Sequence, residues 1–185
     1  ARLAAAPTSV PAVSGRRGSE RRRARRRSVR PREQHGGVAG SFKTEAVVLR
    51  SIRYGEADRV LHLYGADRGR IGAMAKGVRR TRSRMGGRLE PLSRVRLVLR
   101  QGRGDLSTVT SVDTVDAHPG LRERRASLER ALQACESVLR LLDSGESNEA
   151  AYHLLCNQLA LLDADPHAAT RAQSLPFRLK VLLGW

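Results

Sequence analysis

Between Phe42 and Val112 several runs carry apolar residues at every second position, and beyond Gly120 apolar residues recur every third or fourth, so a strand-forming part precedes a helix-forming part. In the run Thr44 to Ile52, Ala46 and Val48 fall on one face and Val47 and Leu49 on the other, which predicts a strand covered on both sides for part of its length. Tyr54-Gly55-Glu56-Ala57-Asp58 reads as a turn. Arg59 to Tyr64 resumes the alternation with Leu61 and Leu63, Gly65 to Gly69 turns the chain again, and Arg70 to Ala75 is a third strand. Arg94 to Arg100 alternates most cleanly, with Val95, Leu97 and Leu99 facing in and Arg94, Arg96 and Arg100 facing out. Gln101 to Asp105 is a hairpin loop, and Leu106 to Val112 is a fifth strand rich in Thr and Val.

Five short antiparallel strands separated by glycine turns suggest a small closed barrel. The OB-fold is the commonest nucleic-acid binder of that kind, and an SH3-like barrel fits the pattern almost as well.

In the helical part Leu121, Leu128, Leu132, Cys135, Leu139 and Leu142 predict one apolar stripe along a long helix. Ser144 to Asn148 closes it and can cap a second helix, whose buried side is Ala151, Leu154, Leu155, Leu159 and Leu162. Asp165-Pro166 is an N-cap followed by proline at the first helical position, and Pro176 restarts a last apolar helix through Leu183. The expected class is α+β with two domains, an OB-fold barrel over 41–117 and an all-α domain over 118–185. The chain starts without methionine and stops on an apolar segment, as expected of a piece of a longer protein.

Residues 1–40 are Ala, Pro, Ser, Gly and above all Arg, with Arg21 to Arg27 broken only by Ala24. They offer too little apolar surface to offset the entropy of ordering a backbone, so a disordered tail is expected. An organelle transit leader shares this composition but has a clearer apolar face. Upstream sequence read as coding is a third reading.

Charge sharpens the picture. The net +17 divides into +9 over residues 1–40, +11 over 41–104 and −3 over 105–185, so a polyanion would meet the front of the molecule. Its centre is the segment Lys76 to Arg88, in which Lys76, Arg79, Arg80, Arg82, Arg84 and Arg88 stand without a carboxylate between two predicted strands. Three glycines and no apolar period mark it as an exposed loop, and a solvated charged loop without a partner is the plainer reading. Arg94 and Arg96 add cations from the next strand. About six neutralised phosphates would give a log–log salt slope on the order of −4 for single strands.

Aromatic residues are 3% of the chain. Tyr54, Tyr64 and Phe42 are the candidates for base stacking, and each is expected in the core by default. Lys76-Gly77 lacks the glycine five positions before a phosphate-binding GK[ST] pair and the hydroxyl after it. A magnesium nuclease built on Glu56, Asp58 and Glu90 is a third-ranked reading, since Asp58 beside Arg59 reads better as turn chemistry. Cys135 and Cys156 match no metal spacing and are expected to be buried thiols in a reducing compartment. With no membrane-length apolar run and no secretory signal, a soluble cytoplasmic protein is expected.

Glu45-Ala46-Val47-Val48-Leu49, Gly55-Glu56-Ala57-Asp58-Arg59, Lys76 to Arg84, Leu89-Glu90-Pro91-Leu92 and Gly102-Arg103-Gly104-Asp105-Leu106, in this order and spacing, resemble the N-terminal half of the RecO recombination mediators of bacteria. The resemblance covers about Phe42 to Trp185. It implies an OB-fold followed by helices and a role without covalent catalysis. That role is to bind single- and double-stranded DNA, anneal strands coated with single-stranded-DNA-binding protein, and help load RecA together with RecR. Many members carry a cysteine quartet for zinc beyond the point where this chain ends. Zinc is therefore not supported for these residues, although a longer parent protein could bind it. An RNA-binding OB-fold protein is the alternative, because charge and barrel do not separate the two polymers.

Overall fold

The computed structural model describes residues 40–184 except 103 and 172. The expected Arg-rich tail over 1–40 lies, but for Gly40, outside the described residues.

Five strands close into a barrel: β1 (Ser41–Tyr54), β2 (Asp58–Gly65), β3 (Gly69–Ala75), β4 (Arg94–Arg100) and β5 (Ser107–Asp116). Their order around it is β1-β2-β3-β5-β4, with β4 returning to β1 and a short parallel pairing of β3 with β5. That closed order is the OB-fold and excludes the SH3-like alternative. β4 has the bounds its alternation predicts. β1 runs two residues further than expected at its far end, so Tyr54 is strand rather than turn.

β1 faces two cores. Ala46 and Val48 point into the barrel with Leu61, Leu63, Ala73, Val95, Leu97 and Leu99. Val47 and Leu49 point the other way and join Tyr64, Leu92 and the buried side of the helices. Strand alternation alone sends 46 and 48 one way and 47 and 49 the other, and a bulge between Val48 and Arg50 takes Leu49 out of the ladder with β2.

The helices are α1 (Gly120–Glu123), α2 (Arg125–Leu141), α3 (Glu149–Ala164), α4 (Ala168–Arg171) and α5 (Leu175–Leu182). The single long helix expected from Leu121 to Leu142 is broken at Arg124, which is extended at φ −127° and ψ 112°. Its guanidinium donates to the carbonyls of Leu162, at 3.2 Å, and Asp163, so it serves the end of α3 instead of continuing a helix. The buried face is broader than the leucine stripe, of which Leu121, Cys135 and Leu142 are buried and Leu128 and Leu139 partly so. α2 packs through Ser127, Ala131, Ala134, Cys135, Ser137 and Val138, and Leu132 is 45% exposed. Small residues let the neighbouring backbones approach, which a leucine row would prevent. α3 begins as expected: the Asn148 side chain accepts from the Ala151 N–H at 2.9 Å, a cap worth about 1 kcal/mol.

Cys135 and Cys156 are buried and unpaired; burial pushes the Cys135 thiol up to about 12 and raises Cys156 as well. Among the described residues no helix is long and apolar enough to cross a membrane.

Candidate nucleic-acid interface

The cationic segment leaves the barrel at the end of β3 and returns at β4, and both of its ends are fixed. At its start Gly77 adopts φ +63°, a left-handed turn that suits glycine, and its N–H donates to Oδ1 of Asp58 at 2.7 Å. The Arg79 N–H donates to the Ala57 carbonyl at 2.9 Å, and its guanidinium reaches the Gly55 carbonyl at 3.3 Å. At its end a short 3₁₀ turn, Gly86–Arg88, leads into Leu89, which is fully buried. Val78 is 2% exposed, and Met85 packs against the same core. The absence of an apolar period in this segment therefore concealed three anchors. Val78, Met85 and Leu89 hold the loop to the barrel, and the cations stand out between them.

The eight cations singled out from the sequence fall into two groups. Lys76, Arg79, Arg80, Arg82 and Arg84 are exposed and have no carboxylate partner among the described residues. Arg88, Arg94 and Arg96 are engaged by the fold. Arg88 donates to the Val112 carbonyl at 2.9 Å and lies 3.7 Å from Asp113. Arg94 and Arg96 share Glu45 of the adjacent strand, at 2.5 Å and 3.3 Å. Burial pushes the Glu45 carboxyl up. The hydrogen bond and charge of Arg94 outweigh this, helped by Tyr152 and Arg96, and hold it below the usual carboxylate range.

The three aromatic candidates also separate. Tyr64 is fully buried in the helical core, and burial raises its hydroxyl to about 12. Phe42 is partly buried under the guanidinium of Arg68, 3.9 Å from the ring centroid. Tyr54, expected in the core, is instead 59% exposed on the β1–β2 hairpin that anchors Arg79. The carboxylates considered for a nuclease are occupied or apart: Asp58 holds the loop, Glu90 pairs with Arg59 at 2.8 Å, and Glu56 is exposed in the turn. Among the described residues no three His, Cys, Asp or Glu side chains gather into a metal-binding group.

This strand order, with a pinned cationic loop and a helical extension packed on β1, defines an OB-fold protein of the barrel-plus-helices type. Residues 40–118 match the family model described as Recombination protein O N terminal. The chain is 39% identical over 145 residues to the DNA repair protein RecO of Rubrobacter xylanophilus, covering 78% of this chain and 58% of that protein. It is 39% identical over 144 residues to that of Pelotomaculum thermopropionicum, covering 78% and 56%. Against that of Bifidobacterium animalis subsp. lactis it is 40% identical over 149 residues, covering 78% and 61%. The chain belongs to the RecO family, and it spans somewhat under two thirds of the length of these relatives.

Proposed function

We propose that this chain acts in DNA repair and recombination as a mediator without covalent chemistry of its own. Its barrel binds single- and double-stranded DNA through the loop from Lys76 to Arg84. In this reading it anneals strands coated with single-stranded-DNA-binding protein and assists RecA loading together with RecR, and the helices offer the protein-partner surface. The observation that carries the reading is the set of five unneutralised cations on a loop pinned at both ends. Charges held in this way can track phosphates without first ordering a free segment. Arg88, Arg94 and Arg96 contribute less, because each already has a carboxylate beside it, Asp113 or Glu45. The likeness to proteins named for DNA repair favours DNA over RNA as the polymer.

Fluorescence anisotropy of labelled single-stranded DNA across a salt series tests it. Five neutralised phosphates give a log–log slope on the order of −3.5. Changing Arg79, Arg80, Arg82 and Arg84 together to Ala should reduce the magnitude of that slope by about 3 and weaken binding across sequences. Unchanged slope and affinity would reduce the loop to a solvated turn. Preference for an RNA competitor of the same sequence would favour the RNA-binding alternative.

A further inference from the structure

Four outward-facing apolar residues line up across three strands beside the cationic loop. Ile52 of β1 pairs in register with Val60 of β2, and Val60 pairs in turn with Met74 of β3. Tyr54 stands one row further along the same face, opposite Asp58. None of the four belongs to either buried core; Ile52 is 44% exposed, Tyr54 is 59% exposed, and Val60 and Met74 are half-buried. The Tyr54 ring has no aromatic neighbour and its hydroxyl no hydrogen bond among the described residues.

What borders this strip indicates its occupant. The turn directly after Tyr54 is the one to which the loop is tied, through Gly77 to Asp58 and Arg79 to Gly55 and Ala57. A flat apolar surface therefore adjoins a row of unpaired positive charge. A ligand that matches both needs accessible flat rings on an anionic backbone. An unpaired nucleic-acid strand has that chemistry, whereas in a duplex the rings are stacked and paired internally. An apolar protein segment would meet the strip but leave the cations unanswered.

We propose that Tyr54, supported by Ile52, Val60 and Met74, is a stacking platform for unpaired bases of a strand whose phosphates lie on the loop. The platform gives the site its preference for single strands. The proposal rests on the loop's role in DNA binding and adds to it the part of the ligand that the loop does not touch.

The test uses the whole chain carrying Tyr54→Ala, Tyr54→Phe or Tyr54→Trp, with a single strand, a duplex of the same sequence and an abasic strand of the same length. Loss of a stacked base costs about tenfold in affinity. Tyr54→Ala should therefore raise the Kd for the single strand about tenfold, leave the duplex within about twofold, and leave the salt slope unchanged, since no phosphate contact is lost. Phe and Trp should retain binding. The abasic strand should bind wild type and Tyr54→Ala equally. An equal loss on single strand and duplex, or no loss on the single strand, overturns the platform. These outcomes separate from failure of the loop reading, which shows in the slope of the four-arginine variant and not in the response to Tyr54.

Discussion

The Tyr152 hydroxyl of α3 donates to Oε1 of Glu45 across 3.2 Å, on the same carboxylate that holds Arg94 of β4 at 2.5 Å. One side chain of β1 thus ties a helix to the barrel and keeps two arginines of β4 in register. Its carboxyl is depressed, so the linkage has a definite sign. Stabilisation by Glu45 is fully present above the unfolded-state value of about 4.3 and is lost as pH falls through the lower folded value. Arg94 is 35% exposed, which discounts the pair to about 1 kcal/mol. Glu45→Gln should lower the unfolding free energy from urea titration at pH 7 by that amount, and the gap to wild type should narrow as pH falls below about 4. A gap that persists undiminished at pH 3 would count against the ion-pair account.

A second prediction separates charge from position in the loop. Asp58 lies beside the proposed phosphate path, and removing a carboxylate there should on charge alone favour DNA. Its Oδ1 also holds Gly77, the residue that turns the loop out of the barrel. Asp58→Asn keeps an oxygen able to accept from Gly77 and should bind DNA at least as tightly as wild type. Asp58→Ala removes the same charge and the anchor together, and should bind several-fold more weakly. Identical behaviour of the two variants in anisotropy would show that the anchor does not matter.

A third prediction concerns the contact between barrel and helices. Gly69, at φ +62° in the β2–β3 turn, lies so close to the Glu146 carbonyl in the α2–α3 connection that an added methyl would overlap it. Arg70 beside it donates to the Leu142 carbonyl at 2.8 Å. Gly69→Ala should destabilise the protein by about 2 kcal/mol or more, combining a strained backbone with the overlap. Gly55→Ala, at φ +53° with open space around it, should cost less. Equal denaturation midpoints for the two variants would remove the overlap as a cause.

Much of the barrel was legible in the sequence because strand alternation is a local signal. Ala46 and Val48 against Val47 and Leu49 showed a strand between two cores, and β4 could be bounded by its arginines. What escaped depends on residues far apart in the chain. Glu45 and Arg94 are separated by 49 positions, so their pairing requires the β1–β4 register. Of the leucine stripe only Leu132 is exposed, and the small residues beside it, Ser127, Ala131, Ala134 and Ser137, went unread because hydrophobicity ranks leucine above them. Tyr54 looked like a core aromatic in a turn, and the extension of β1 to include it carried its ring to the outside. The loop cations were visible as a run, but which of them the fold leaves unpaired was not.

Because Val47, Leu49, Tyr64 and Leu92 belong to the same core as the helices, the match that ends at residue 118 stops at a seam between parts that share a core. The outer wall of the barrel and the helices are consequently one packing unit. A crossover between homologues at that seam would join a barrel to helices selected against another barrel's outer wall. A substitution at position 47, 49 or 64 would therefore be felt in the helical core as well as in the sheet, and the unit that can be exchanged intact is longer than the sheet.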